Sequence, residues 1–308
     1  MRGARRFVAL LAGVAVAGSV ATGPALLVRA AEPVGLRALP ALYEDGKGTG
    51  LRTPESVAFD GAKRLAVADT GNGRVVLYDV AGEKITPGAE IRLPEIPSPL
   101  QARFAPDGGL LVLDGRLKKI ARLTAAGQFK SYLVVQEEGA RTPLVPRSFR
   151  VGADGAVFIL DVAQGRVVVL GPDDRIRRQM AVPKDARGLS DLALDARGVV
   201  YALESVGRRV LVARPDDAAF AVFAAIEADV AFPTALSVDE FGRLAVADES
   251  GGGIVFLGPD GSFRGRQSSM GWKEGLLRSP SGLAAGPPGL LFVADRGNNR
   301  IAVFSVSK

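Results

Sequence analysis

An all-β fold of six four-stranded antiparallel sheets set radially around an axis, a six-bladed β-propeller, is the architecture this sequence predicts. Three observations predict it. The chain is rich in turn formers, with 38 Gly and 19 Pro in 308 residues. Aromatics are only 6%, so the core must be built mainly from Val, Leu, Ala and Ile in short strands. Most telling, one pattern recurs six times with a period in the mid-forties, the length of a propeller blade.

The repeat is read from an acidic anchor: Asp69, Asp114, Asp161, Glu204, Asp248 and Asp295, at gaps of 45, 47, 43, 44 and 47 residues. Five residues after it stand Arg74, Lys119, Arg166, Arg209, Gly253 and Arg300. Fifteen before it stand Pro54, Pro99, Pro146, Leu189, Pro233 and Pro280, and six before it Lys63, Gly108, Gly155, Gly198, Gly242 and Gly289. Each column has one exception. Within a copy the reading is strand, Gly turn, strand, anchor turn, strand, short turn, strand. Copy five shows it as ALSVD, RLAVAD, IVFLG and SFRGRQ. A β-helix needs a much shorter period, and two sandwiches would not keep one register.

The sixth copy lacks its fourth strand, because the sequence stops at Lys308. Residues 35–43, GLRALPALY, precede the first copy and have no other place. They are expected to close the last blade as its outer strand, which leaves few raw sheet edges.

The anchor turn asks for explanation. ADTGNGRV (68–75) and ADRGNNRI (294–301) place an acid and an Arg on either side of residues that accept tight turns. The acid can accept backbone N–H groups and pair with the Arg across the turn. Six copies of one pair point to structure rather than catalysis. Read as an exposed pair, it contributes only about 0–1 kcal/mol.

Pro, then Gly, then A-D-x-G-N-x-R-[VI] resembles the NHL repeat, over about residues 36–308. The second, fourth and fifth copies, LDGRLKKI, LESVGRRV and ADESGGGI, depart from it. The resemblance implies a six-bladed propeller of the NHL or TolB-like kind. It does not imply one activity. NHL-like propellers include protein-binding modules, RNA-binding modules and a zinc-dependent peptide-amidating lyase, and they resemble gluconolactonase-like and strictosidine-synthase-like propellers. A fold shared by many functions leaves function to the site.

Composition narrows the chemistry. Cys and His are absent. This removes disulfides, thiol nucleophiles, a Ser-His triad and any Cys or His metal site, including the His zinc ligands of the amidating lyase. The N-terminal segment reads as a secretory signal over residues 1–30: Arg2, Arg5 and Arg6, an apolar run from Phe7 to about Val20, and Val28-Arg29-Ala30 near the processing site. An uncleaved anchor is the alternative and the only expected route to a membrane. Gly23-Pro24 interrupts the apolar run and favours cleavage. The mature propeller, residues 31–308, is then expected in the periplasm or outside the cell. Without residues 1–30 it carries 35 basic and 33 acidic side chains, near +2, so the formal +6 belongs largely to the leader. No cluster of basic residues remains for a phosphate backbone, and nucleic acid is not an expected partner.

Ligands of propellers bind at a mouth of the channel, lined by the innermost strands. Alternation along those strands turns two columns between blades: Val57, Ala102, Phe149, Leu192, Leu236, Leu283 and Phe59, Phe104, Val151, Leu194, Val238, Ala285. The intervening columns are small or polar, as a wet channel requires. They place Arg103 and Arg150 on one side of the wall and Asp191, Asp195 and Asp239 on the other. Two readings follow: an anion pocket at the arginines or an oxygen-ligand Ca²⁺ site among the acids, against simple charge balance across the channel. Trp272 precedes the last blade and is either an exposed recognition residue or a plug. The loop around residues 134–147 is longer than its counterparts, and its Glu137, Glu138 and Arg141 read as solvated charges.

The expectation is a non-enzymatic binding or scaffold propeller for a protein, peptide or glycan, with no cofactor assigned. The alternative is a divalent-cation-dependent hydrolase or lyase of the gluconolactonase-like type.

Overall fold

The computed structural model describes residues 33–135, 143–287 and 289–307. The leader and residues 136–142, with Glu137, Glu138 and Arg141, lie outside them. Among the described residues, 24 strands form six four-stranded antiparallel sheets, and the ordering within each is sequential from inside to outside. The exception is the last sheet. There the first strand, Leu36–Leu42, pairs antiparallel with Arg300–Val306, outside Leu290–Asp295 and Pro280–Ala285. Leu36 lies opposite Val306 and Leu39 opposite Val303. The blade-closing role expected for residues 35–43 is therefore borne out.

Each blade opens at the predicted column. The inner strands are Pro54–Phe59, Pro99–Phe104, Pro146–Val151, Leu189–Leu194, Pro233–Val238 and Pro280–Ala285. Proline suits this place because the inner strand has no strand partner on its channel side. Every inner strand slips register after its first residue, so that Pro54 pairs with Asp69 but Ser56 with Ala68. This bulge turns the following residues into the wall of the channel. The Gly column six before the anchor supplies a left-handed residue to the first hairpin, as at Gly242 (φ 76°). Blade 1 has Lys63 there, and Gly61 (φ 82°) takes over two residues earlier.

The core falls into six apolar clusters, one for each junction between consecutive blades. The cluster between blades 6 and 1 joins Val57, Leu65 and Val67 to Phe292, Ile301 and Val303, with Leu39 of the closing strand. The others unite blades 1 with 2, 2 with 3, 3 with 4, 4 with 5 and 5 with 6. Most of these side chains are wholly buried. Burial at about 25 cal/mol per Å² of apolar surface makes these layers the main source of stability.

The anchor acids are also part of the interior, which corrects the expectation of exposed turn pairs. All six are at most 1% exposed, and Arg74 and Arg300 are 1% and 2% exposed. Each carboxylate reaches back to the N–H of the segment entering its own inner strand. Asp69 accepts from Arg52 N (2.7 Å), Asp114 from Ser98 N (2.6 Å), Asp295 from Arg278 N (2.7 Å). Asp69 and Asp295 then bind Nε of Arg74 and Arg300, both at 2.7 Å. The loop over 44–50 covers Arg74 through Asp45 (2.6 Å) and the Thr49 carbonyl (3.1 Å). The loop over 268–279 covers Arg300 with the carbonyls of Trp272, Lys273 and Leu276.

Blade 5 lacks the arginine, with Gly253 in its place. Arg266 of the outer strand Phe263–Gln267 supplies the cation instead, 2.9 Å from Asp248. A Cβ on Gly253 would lie 2.6 Å from the Arg266 guanidinium carbon, so the missing side chain makes the room.

Candidate functional site

The inner strands run from the anchor-turn end, where their prolines lie, to the first-hairpin end. At the latter the channel widens into a cavity of about 680 Å³. Its lining includes Arg103, Arg150 and Ser237, the small residues Ala58, Ala193 and Ala284, and an apolar ring of Phe59, Phe104, Val151, Leu194 and Val238. Arg103 and Arg150 thus stand on the channel wall as the alternation expects, but the column expected between blades does not stay there: Phe59, Phe104, Val151, Leu194 and Val238 pack against the inter-blade clusters and also edge the cavity.

Beneath the cavity lies a polar layer from the column thirteen before the anchor. Its polar side chains tie the first five inner strands in succession, where no strand ladder exists. Ser56 Oγ accepts from Ala102 N (3.3 Å), Gln101 Oε1 from Phe149 N (3.2 Å), and Asp191 Oδ2 from Leu236 N (3.0 Å). Asp191 is its centre. It also accepts from Ser148 Oγ (2.6 Å), Gln101 Nε2 (3.4 Å) and Arg150 Nη2, 3.0 Å from both carboxylate oxygens. Burial opposes its ionisation, but Arg150, Arg103, the Ser148 hydroxyl and the Leu236 N–H outweigh burial and hold its carboxyl below the usual value. Both terminal nitrogens of Arg150 are engaged here, with the Phe149 carbonyl, Ser148 and the Leu236 carbonyl as further acceptors.

Arg103 differs. Its Nη1 donates to the carbonyl of Ala102 (2.8 Å), and among the described residues no carboxylate lies within ion-pairing distance of it. Burial and then the adjacent Arg150 cation push its pKa down to about 9, against the pull of Asp191. Two guanidinium groups and one carboxylate thus share the cavity floor, leaving one positive charge without a counterion.

The other expected site residues lie apart. Asp195 and Asp239 sit one position beyond their strands, where the chain leaves the pleat, and each organises its own hairpin. Asp195 accepts from Arg197 N and Val199 N, both at 2.9 Å, and pairs with Arg197 (2.8 Å). Asp239 accepts from Phe241 N and Arg243 N, both at 2.9 Å, and pairs with Arg243 (2.7 Å). Asp191, Asp195 and Asp239 do not converge, and among the described residues no three acidic side chains form a group that could hold a metal. Asp60 repeats this turn on blade 1, pairing with Arg64 (2.9 Å), whose guanidinium stacks on Phe104 at 4.7 Å. Arg64 lines the cavity and was missed as a site residue. Its signal was the shared spacing of Asp60 to Arg64 and Asp239 to Arg243. Trp272 stands at the opposite end of the inner strands. The residue is 74% exposed, while its carbonyl caps Arg300, so it plugs nothing.

The NHL repeat model matches residues 277–304, the sixth blade. The chain is a six-bladed β-propeller that carries an NHL repeat. No curated protein matches its sequence. Among solved structures the propeller resembles a gluconolactonase from Xanthomonas campestris, with 18% identity over 90% of this chain and 97% of that one and a TM-score of 0.63. Virginiamycin B lyase from Staphylococcus aureus is 15% identical over 88% and 99%, with a TM-score of 0.60. The calcium-binding protein regucalcin from Agrobacterium tumefaciens is 14% identical over 85% and 92%, also at 0.60. At such identities the likeness is one of fold.

Proposed function

We propose that this propeller is an exported, non-enzymatic binding module, periplasmic or secreted, that receives a protein, peptide or glycan group at the cavity-bearing mouth. The carrying observation is the state of the polar groups there. Asp60, Asp191, Asp195 and Asp239 are each committed to backbone N–H groups and an arginine. Of the two floor cations, Arg103 keeps a terminal nitrogen for a ligand, whereas both of those on Arg150 are engaged. That is a recognition group without a paired nucleophile and base. Export follows from the leader read in the sequence.

The test compares the protein with Ala153→Trp, which fills the rim from an exposed lining position, on peptide and glycan arrays. Ligands captured at the mouth are lost by the blocked variant. Equal capture by both proteins would refute the reading. The second reading, a cation-dependent hydrolase or lyase, draws support from neighbours named gluconolactonase, virginiamycin B lyase and regucalcin. It expects Ca²⁺ to bind calorimetrically, binding to fall with Asp239→Asn, and lactone turnover to need the cation.

A further inference from the structure

The floor and the wall of the cavity together specify more than a docking place. We infer that the channel mouth takes an organic monocarboxylate head-first, with the carboxylate against Arg103 and an apolar body within the ring above it. The inference rests on the reading of this mouth as a ligand site and names the class of ligand.

Arg103 and Arg150 both line the cavity, and the carboxylate that lies near them, Asp191 in the layer beneath, is held by Arg150. Arg64 at the wall is neutralised by Asp60. One unit of positive charge is left, and it resides on Arg103, whose donors other than Nη1 face the cavity. A bound monoanion restores neutrality. A planar carboxylate also matches the guanidinium fork, with two parallel N–H···O bonds. A phosphate dianion would need a second free cation, and Arg150 has none of its terminal donors to spare.

The wall argues for the rest of the ligand. The cavity of about 680 Å³ far exceeds a carboxylate group and falls in the range of small-molecule sites, about 300–1,000 Å³. Above Arg103 the walls are Phe59, Phe104, Val151, Leu194 and Val238, all partly exposed. Such a ring offers little to a bare inorganic anion or a fully hydroxylated sugar. It suits an aromatic or aliphatic body. The same chemistry is presented by a free small acid and by the C-terminus of an apolar peptide.

Calorimetry decides the matter with four probes: phenylbutyrate, its uncharged amide, a short apolar peptide with a free C-terminus, and the same peptide amidated. Inorganic phosphate is the fifth titrant. The expected result is that at least one acid form binds about tenfold or more tightly than its amide. Arg103→Gln removes that preference, while Arg103→Lys, which keeps the charge, retains part of it. Preference for the free acid alone identifies a small-molecule source, and preference for the peptide alone identifies a chain terminus. Absence of binding by both acids overturns the inference, as does a preference unchanged in Arg103→Gln, or phosphate binding more tightly than either acid. A ligand lost in Ala153→Trp but indifferent to Arg103 would leave the mouth as a binding site and remove only its assignment to carboxylates.

Discussion

Replacing Asp295 with Ala should be among the most damaging single changes available outside the apolar layers. The carboxylate is wholly buried and accepts three hydrogen bonds: Arg278 N at 2.7 Å, Asn298 Nδ2 at 2.8 Å and Arg300 Nε at 2.7 Å. Its removal leaves Arg300, 2% exposed, as a buried cation facing only neutral acceptors, the hydroxyl of Tyr43 and three carbonyls. It also orphans the N–H that leads into the inner strand. Breaking a buried pair from one side costs about 3–5 kcal/mol. At about 2–4 °C per kcal/mol for a domain of this size, the melting temperature should fall by roughly 10 °C. Thermal and urea unfolding read this directly. Glu83→Ala is the comparison, since Glu83 pairs with Arg37 while both remain more than half exposed, and its cost should stay within about 0.5 kcal/mol. The double variant Asp295→Ala/Arg300→Met should cost clearly less than the two single changes added together, because the stranded charge is gone. A loss below about 1 kcal/mol for Asp295→Ala, or full additivity, would refute the view that the anchor pair is a buried structural lock.

Further outcomes follow from the same contacts. Arg266→Ala should destabilise blade 5 by about 1–3 kcal/mol, since the 1%-exposed Asp248 loses its cation. Adding Gly253→Arg should recover much of that loss in urea unfolding, restoring the arrangement of blades 1 and 6. Asp45 has its pKa lowered to about 2, chiefly by the Lys47 N–H and, against burial, by Arg74 and the Thr49 N–H. A depressed carboxyl stabilises the fold above its ordinary pKa near 3.8, and that contribution disappears as pH falls through about 2. Amide exchange at Lys47 and Thr49, relative to core amides, should therefore rise between about pH 4 and pH 2, and Asp45→Asn should show that rise already at neutral pH. Finally, Arg103→Met should raise unfolding stability by about 0.5–1 kcal/mol, because it removes a partly buried cation with no counterion. A measured decrease would show that Arg103 is satisfied in a way its contacts do not reveal.

The architecture could be read from the sequence because propeller blades repeat locally. Strand, turn and anchor lie within about 45 residues of each other, so Pro54 and Asp69 sit in the same register as Pro280 and Asp295. The closing strand was legible by elimination, as one blade lacked a piece and one segment lacked a place. Arg103 and Arg150 followed from alternation, which holds while a residue stays within the pleat. Asp195 and Asp239 escaped because they stand just past that limit, where a carboxylate turns back on its own hairpin. The burial of Arg74 and Arg300 was not legible either. It depends on the loops over 44–50 and 268–279, irregular segments whose path no column of the repeat marks. Gly253 looked like decay of the motif, yet its loss of a side chain is what admits Arg266 from another strand.

The joining of both chain ends in one blade sets an order on biogenesis. Leu36–Leu42 leaves the ribosome before the other strands but has no lateral partner until Arg300–Val306 has been made. While the strands between them are made, an aliphatic ribbon waits with its hydrogen-bonding rim open, and this sheet cannot assemble ahead of Arg300–Val306. Once the two meet, Gly35 and Ser307 bond to each other at 2.9–3.0 Å. A permuted gene that links these neighbours and opens the chain in an exposed hairpin such as Asp60–Lys63 would move that wait to another blade without altering the finished ring.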